Sequence, residues 1–279
     1  MALSKFSQDI EIDNGSEICV FMFHGLSATP YEIKNWIEKI AELGVDVKAP
    51  LLPLHGVDST VLCSVKSADI FYDFGREYIE KLKKEYKTVI GFGISLGGGT
   101  IFDYLVNKGG NLDAAIMIGT GGFAAWEMGL IVWLVRIFNL KSIRNPFITE
   151  YDKILLPEEY FNWKMENIPK VPVKMLMKAL YKQKKEGINE KLARITCPVM
   201  LINGTSGLLT NRKSVEQYFK VIPAKKKYGL VVEGANHSVH KSKQHKEILE
   251  HLIKFISDVI ESLKTEDEIE STSIITLRK

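Results

Sequence analysis

Two stretches of the chain carry residue types at spacings suited to nucleophilic chemistry. Gly93-Ile94-Ser95-Leu96-Gly97 sets a serine between glycines two residues away on either side. Gly234-Ala235-Asn236-His237 offers an imidazole far downstream. A serine hydroxyl is a weak nucleophile and needs a base within hydrogen-bond reach, most often a histidine. With glycine at ~7% of residues and serine taken as similar, the spaced triplet arises by chance in about one chain of this length in ten. Its meaning therefore depends on the elements around it and on its partners.

Those elements have the required order. Val89 to Phe92 is a short apolar β-run. After the serine, Ile101, Tyr104 and Leu105 follow i, i+3, i+4 helical spacing. A strand, a sharp turn and a helix, with serine at the turn, hold the serine backbone strained and its Oγ clear of the sheet. Side chains at positions 93 and 97 would collide with that turn, and Gly98 and Gly99 would let the helix lie close on the sheet. The helix N-terminus directs free N–H groups and the positive end of its dipole at whatever sits on the serine.

The chain has six histidines. His237 is best placed as the base, in a loop between the last apolar run, Tyr228 to Glu233, and the final helix. His240, three residues on at the start of that helix, is a lesser candidate for the base, and His245 and His251 lie along the helix. His55 sits in the loop Leu51 to Gly56. His24 ends the buried run Glu17 to Phe23 and is read as holding its loop. There the useful group is backbone: the N–H of Leu26, together with that of Leu96, would form an oxyanion hole.

Other signals complete the order of elements. Phe6 to Ile12 alternates as an edge strand, and Thr29-Pro30-Tyr31-Glu32 reads as a capping box opening a helix that Gly44 stops. Val45 to Ala49, Asp113 to Ile118 and Pro198 to Gly204 read as strands, and Ala68 to Lys84 as a helix. From Phe123 to about Glu190 the rhythm breaks into helices and prolines with no clear strand. Leu249, Leu252, Ile256, Val259 and Leu263 share one face of a long last helix. Thr265 to Lys279 is polar and is expected to fray. The result is an α/β fold: a mostly parallel central sheet flanked by helices, with residues 1–122 and 191–264 as core, 123–190 as an inserted helical cap and 265–279 as a C-terminal tail. In such sheets sites lie at the carboxyl ends of strands, so the loops after His24, Ser95, Gly119 and Gly204 should gather with His237.

Composition excludes several classes. The 279 residues are 46% hydrophobic and 25% charged, with a net charge of +3 from intermixed residues. No basic surface for nucleic acid stands out. Three separated cysteines, Cys19, Cys63 and Cys197, suggest reduced thiols, and no His/Cys pattern suggests a metal. The first residues lack a signal-peptide pattern, so a cytoplasmic location is expected; no cofactor is expected either. Phe123 to Leu140 is apolar but interrupted by Glu127, Gly129, Arg136 and Asn139, and reads as a buried or interfacial helix rather than a membrane span.

His24-Gly25-Leu26, Gly93-Ile94-Ser95-Leu96-Gly97-Gly98 and Gly234-x-x-His237 together resemble the α/β-hydrolase superfamily, and most of all its small bacterial carboxylesterases and monoacylglycerol lipases. The resemblance runs from about Glu17 to Leu263. It implies an acyl-enzyme on Ser95, with His237 as base and Leu26 and Leu96 holding the oxyanion. The implied substrate is an acyl ester or monoacylglycerol, with at most transient lipid-surface contact through the cap. Trp126, Trp133 and Met175 are candidate pocket residues. One position departs from the pattern. The family has Gly-x-x-Asp after the seventh strand, and here Gly204-Thr205-Ser206-Gly207 puts glycine where the acid belongs. The acid orients the histidine. Three explanations stay open: an Asp→Gly replacement in an ordinary esterase, a substitute among Glu233, Glu127, Ser206 and Asn211, or weakened catalysis. A thioesterase or a non-catalytic ligand-binding protein are the alternative functions.

Overall fold

The computed structural model describes residues 4–107, 109–120, 137–138, 140–175, 188–206, 212–265 and 271–278. Its centre is a sheet built from β1 (Ile10–Ile12), β2 (Ile18–Phe23), β3 (Asp46–Ala49), β4 (Thr88–Ile94), β5 (Ala114–Ile118), β8 (Val199–Gly204), β9 (Lys226–Val232) and β10 (Ser271–Leu277). The spatial order is β1-β3-β2-β4-β5-β8-β9-β10. Only β1 runs antiparallel, against β3. Two further short strands, β6 (Ile143–Arg144) and β7 (Lys170–Val171), pair with each other between β5 and β8.

The central strands are buried on both faces, which is why they read as continuous apolar runs. In β2, Cys19, Phe21 and Phe23 face one core while Val20 and Met22 face the other. The first core is covered by α3 (Asp69–Glu85), α4 (Leu96–Asn107) and α8 (Arg212–Val221); the second by α1 (Lys34–Ala41) and α9 (His245–Thr265). Two short helices, α2 (Ser59–Cys63) and α7 (Ile188–Leu192), lie in the connections. Between β6 and β7 stand α5 (Glu150–Leu155) and α6 (Glu158–Asn167).

Several expectations need correction. The C-terminal segment does not fray throughout: residues 271–277 form β10, parallel to β9, with Leu277 buried. Ile275 and Leu277, on either side of Thr276, turn to the core while Ile274 is exposed, which suits a half-covered edge strand. The N-terminal strand is shorter than expected, and Phe6 instead packs with Tyr31, Tyr160 and Trp163. The 123–190 stretch contains the β6–β7 pair. Thr29 opens a 3₁₀ turn, Pro30–Ile33, without a side-chain cap; Thr29 Oγ1 meets the Tyr160 hydroxyl at 3.2 Å. Glu32 is drawn into a buried ionic cluster described below. Among the described residues no helix is long and apolar enough to cross a membrane.

Candidate active site

Ser95 occupies the turn between β4 and α4 with φ of +52°, a left-handed conformation that costs a non-glycine residue about 1 kcal/mol. Its N–H donates to Ile118 O at 2.7 Å, and its carbonyl accepts from Gly99 N at 2.8 Å. The glycines around it are required by space. A Cβ on Gly93 would lie 2.4 Å from Gly98 N, one on Gly97 2.2 Å from Phe23 O, and one on Gly98 1.9 Å from Thr120 Oγ1. At Gly99 nothing lies within 4 Å, so only that glycine lacks the role expected of it.

His237 reaches this turn from the loop after β9. Its Nε2 lies 2.8 Å from Ser95 Oγ. Burial pushes its pKa down to about 4, helped by His240 and Lys241, so the imidazole is neutral and holds a lone pair for a proton. The loop is seated by close backbone approaches. A Cβ on Gly204 would strike Ala235 O at 2.1 Å, and one on Gly119 would lie 2.9 Å from His237 O. Thr205 Oγ1 accepts from Gly234 N at 2.8 Å, tying the loops after β8 and β9 together. The Phe147 ring lies against the imidazole, with centroids 5.4 Å apart.

The loop after β2 forms the facing wall. Gly25, Leu26 and Ser27 line the same small cavity as Ser95 and His237. Leu52 N donates to His24 Nε2 at 3.0 Å, which leaves Nδ1 as the protonated nitrogen facing Gly25 O at 2.9 Å. His24 is thus a brace between two loops, and burial, with His55 beside it, holds its pKa down at about 3. Ser27 has φ of +63° and is 1% exposed, and its Oγ has no hydrogen-bond partner among the described residues.

Of the other sequence candidates, only Leu96 adjoins the serine among the described residues. Leu96 begins α4 directly after the serine. Met175 is 2% exposed in the core beside α4 and does not wall the cavity. Trp126, Trp133, Glu127, Gly207 and Asn211 lie outside the described residues, as does most of the apolar 123–140 stretch. Glu233 is exposed, with its N–H bonded to Leu277 O, and Ser206 is also exposed. His240 turns its Nε2 to Glu32 Oε1 at 3.3 Å, and His251 Nδ1 meets the Tyr228 hydroxyl at 2.9 Å. The cysteines are free thiols, and burial pushes Cys19 and Cys197 up to about 12.

Sequence reasoning missed the charges at this site. Glu32, Lys164 and Lys241 also wall the cavity, and Asp152 joins them behind it. Burial raises the Glu32 carboxyl, but Lys164, Lys241 and His240 outweigh it and hold the pKa well below the usual carboxylate range. Asp152 is likewise lowered against burial, by Lys164 and Lys241. These pairs join residues far apart in the chain, and no local spacing announces them.

The family model described as serine aminopeptidase, S33 (Hydrolase_4) matches residues 16–244. No curated protein matches the sequence. Among solved structures, one reported for the metagenome-derived lipolytic enzymes LipS and LipT is similar at a TM-score of 0.72 and 17% identity, covering 92% of this chain and 100% of that one. The monoacylglycerol lipase of Paleococcus ferrophilus is similar at 0.67 and 17% identity, covering 90% and 98%. A soluble variant of the monoglyceride lipase of Saccharomyces cerevisiae, in complex with a substrate analog, is similar at 0.66 and 13% identity, covering 90% and 91%. With the family model spanning most of the chain and the fold shared along its length, the protein belongs to the serine aminopeptidase S33 family of α/β-hydrolases.

Proposed function

We propose that the chain is a carboxylic ester hydrolase that cleaves short- to medium-chain acyl esters or monoacylglycerols through an acyl-enzyme on Ser95. The observation that carries this reading is the 2.8 Å approach of Ser95 Oγ to a neutral His237 Nε2 at a strained strand–helix turn. Ser95 Oγ attacks the ester carbonyl while His237 takes its proton. The N–H groups of Leu26 and Leu96 hold the developing oxyanion. His237 returns the proton to the departing alcohol. It then takes a proton from water as that water attacks the acyl carbonyl, and returns it to Ser95 Oγ as the acyl–oxygen bond breaks and the carboxylic acid leaves. Residues 123–190 act as a cap over this site, in keeping with Phe147 against the His237 ring.

The test is a p-nitrophenyl ester series with monoacylglycerols, acyl-CoA and an aminoacyl p-nitroanilide beside it. Hydrolysis of butyrate or octanoate esters should fall by ~10³-fold or more in Ser95→Ala. Equal rates in Ser95→Ala would overturn the reading. Faster turnover of the anilide would support the peptidase activity in the family's name, and faster turnover of acyl-CoA would support a thioesterase.

A further inference from the structure

The ionisable side chains gathered at and behind the cavity come from three separate parts of the chain. Glu32 follows the loop that carries Leu26, and His240 and Lys241 lie on the 3₁₀ turn just after His237. Asp152 and Lys164 come from α5 and α6. Lys241 Nζ donates to Asp152 Oδ1 at 2.9 Å and to the Phe147 carbonyl at 2.8 Å, and lies 3.5 Å from Glu32 Oε1. Lys164 Nζ bonds Glu32 and lies 3.3 Å from Asp152 Oδ1. The two ammonium groups balance the two carboxylates, and each of the four side chains is at most 5% exposed.

Stability alone does not account for such a cluster. Apolar side chains of similar volume in place of a buried ion pair often leave stability unchanged or raise it. What charged hydrogen bonds add is direction. Here the direction leads to the catalytic histidine. Lys241 grips the backbone of Phe147, and the Phe147 ring lies against the imidazole with an interplanar angle of 46°.

We propose that Lys241 is a positioning residue for His237: held by Asp152 and Glu32, it fixes Phe147 against the imidazole and couples the docking of residues 143–171 to the alignment of Ser95 with His237. The proposal rests on the reading of these two residues as the catalytic pair. It assigns Lys241 no contact with substrate. Its action runs through Phe147, and a displacement of about 1 Å at the reacting pair costs on the order of 10²-fold in rate.

A double-mutant cycle tests it. Wild type, Phe147→Ala, Lys241→Met and the double variant are compared in kcat and KM for p-nitrophenyl butyrate, in the rate of fluorophosphonate labelling, and in thermal unfolding. Phe147→Ala keeps the carbonyl that Lys241 grips and removes only the ring. Each single change should lower kcat and labelling ~10–100-fold with KM within about threefold. The double variant should be little worse than either, because both break one link. A group that merely holds the fold would lower the unfolding temperature and leave kcat of the folded protein alone. Wild-type kcat in folded Lys241→Met, or losses that multiply in the double variant, would overturn the proposal. If Lys241→Met does not fold, Asp152→Leu/Lys241→Met removes both charges and takes its place in the cycle, with the same outcomes decisive. A wild-type Ser95 that resists the label would instead overturn the catalytic reading and this proposal with it; a labelled wild type beside unchanged variants overturns the proposal alone.

Discussion

At the scale of single residues, the local electrostatics of His237 set the expected pH behaviour. A general base works deprotonated, and burial with two neighbouring basic residues pushes this imidazole down to about 4. kcat/KM should therefore stay level from neutral pH down to about 5 and fall as the pH drops through about 4. A rate profile on a p-nitrophenyl ester checks this; an acid limb near pH 6.5 would contradict it. Ser27 gives a second prediction. Its positive φ costs stability, and so does a buried hydroxyl that finds no partner among the described residues. Ser27→Gly should relieve both and raise stability by about 1 kcal/mol, after allowing for glycine's added freedom in the unfolded chain. Urea unfolding measures this, and a loss of stability would refute it. The serine and its histidine were legible in the sequence, because each follows a strand at a glycine-marked turn. Ser27 was not, because a serine in the left-handed region leaves no pattern of its own.

At the scale of elements, the strand–turn–helix around Ser95 separates three neighbouring glycines by what surrounds them. Gly97 and Gly98 face backbone and Thr120 at distances no Cβ tolerates, whereas Gly99 faces open space inside α4. Gly97→Ala should destabilise the fold by about 1–3 kcal/mol, as overpacked sites do. Gly99→Ala should stabilise it by about 0.5–1 kcal/mol, as alanine does in a helix interior. Thermal unfolding of the two variants decides, and equal shifts would refute the account of the turn. The sequence showed the need for Gly93 and Gly97 but could not distinguish Gly98 from Gly99, because that difference depends on where Thr120 lies. The capping box failed for a similar reason. Glu32 has the spacing to cap a helix, yet Lys164 and Lys241 offer it a buried partnership that local spacing cannot show. Strand β10 was missed because its short, serine- and threonine-rich segment resembles a solvated tail until β9 is placed beside it.

At the scale of the whole molecule, the central sheet and the convergence of its loops were readable because buried parallel strands and amphipathic helices leave distinct periodicities. The joining of α5 and α6 to the loops that carry Leu26 and His237 was not, since it rests on ion pairs between distant positions. Burial on this scale also ties folding to pH. His24, His55 and His237 are held down to about 3, about 4 and about 4, chiefly by burial. The unfolded chain binds protons at these residues below pH ~6.5 while the folded chain does not. Stability is therefore full above that pH and should fall as the medium is acidified from about 6.5 toward 4, by up to about 1.4 kcal/mol per pH unit for each imidazole. Urea midpoints at pH 7 and pH 5 test this; an unchanged midpoint would contradict it. Intact-mass analysis after fluorophosphonate treatment shows whether Ser95, activated by His237, is the nucleophile. A single adduct on Ser95 is expected, absent in Ser95→Ala and formed much more slowly in His237→Ala. A folded wild-type protein that stays unlabelled, or that labels equally fast without His237, would contradict it.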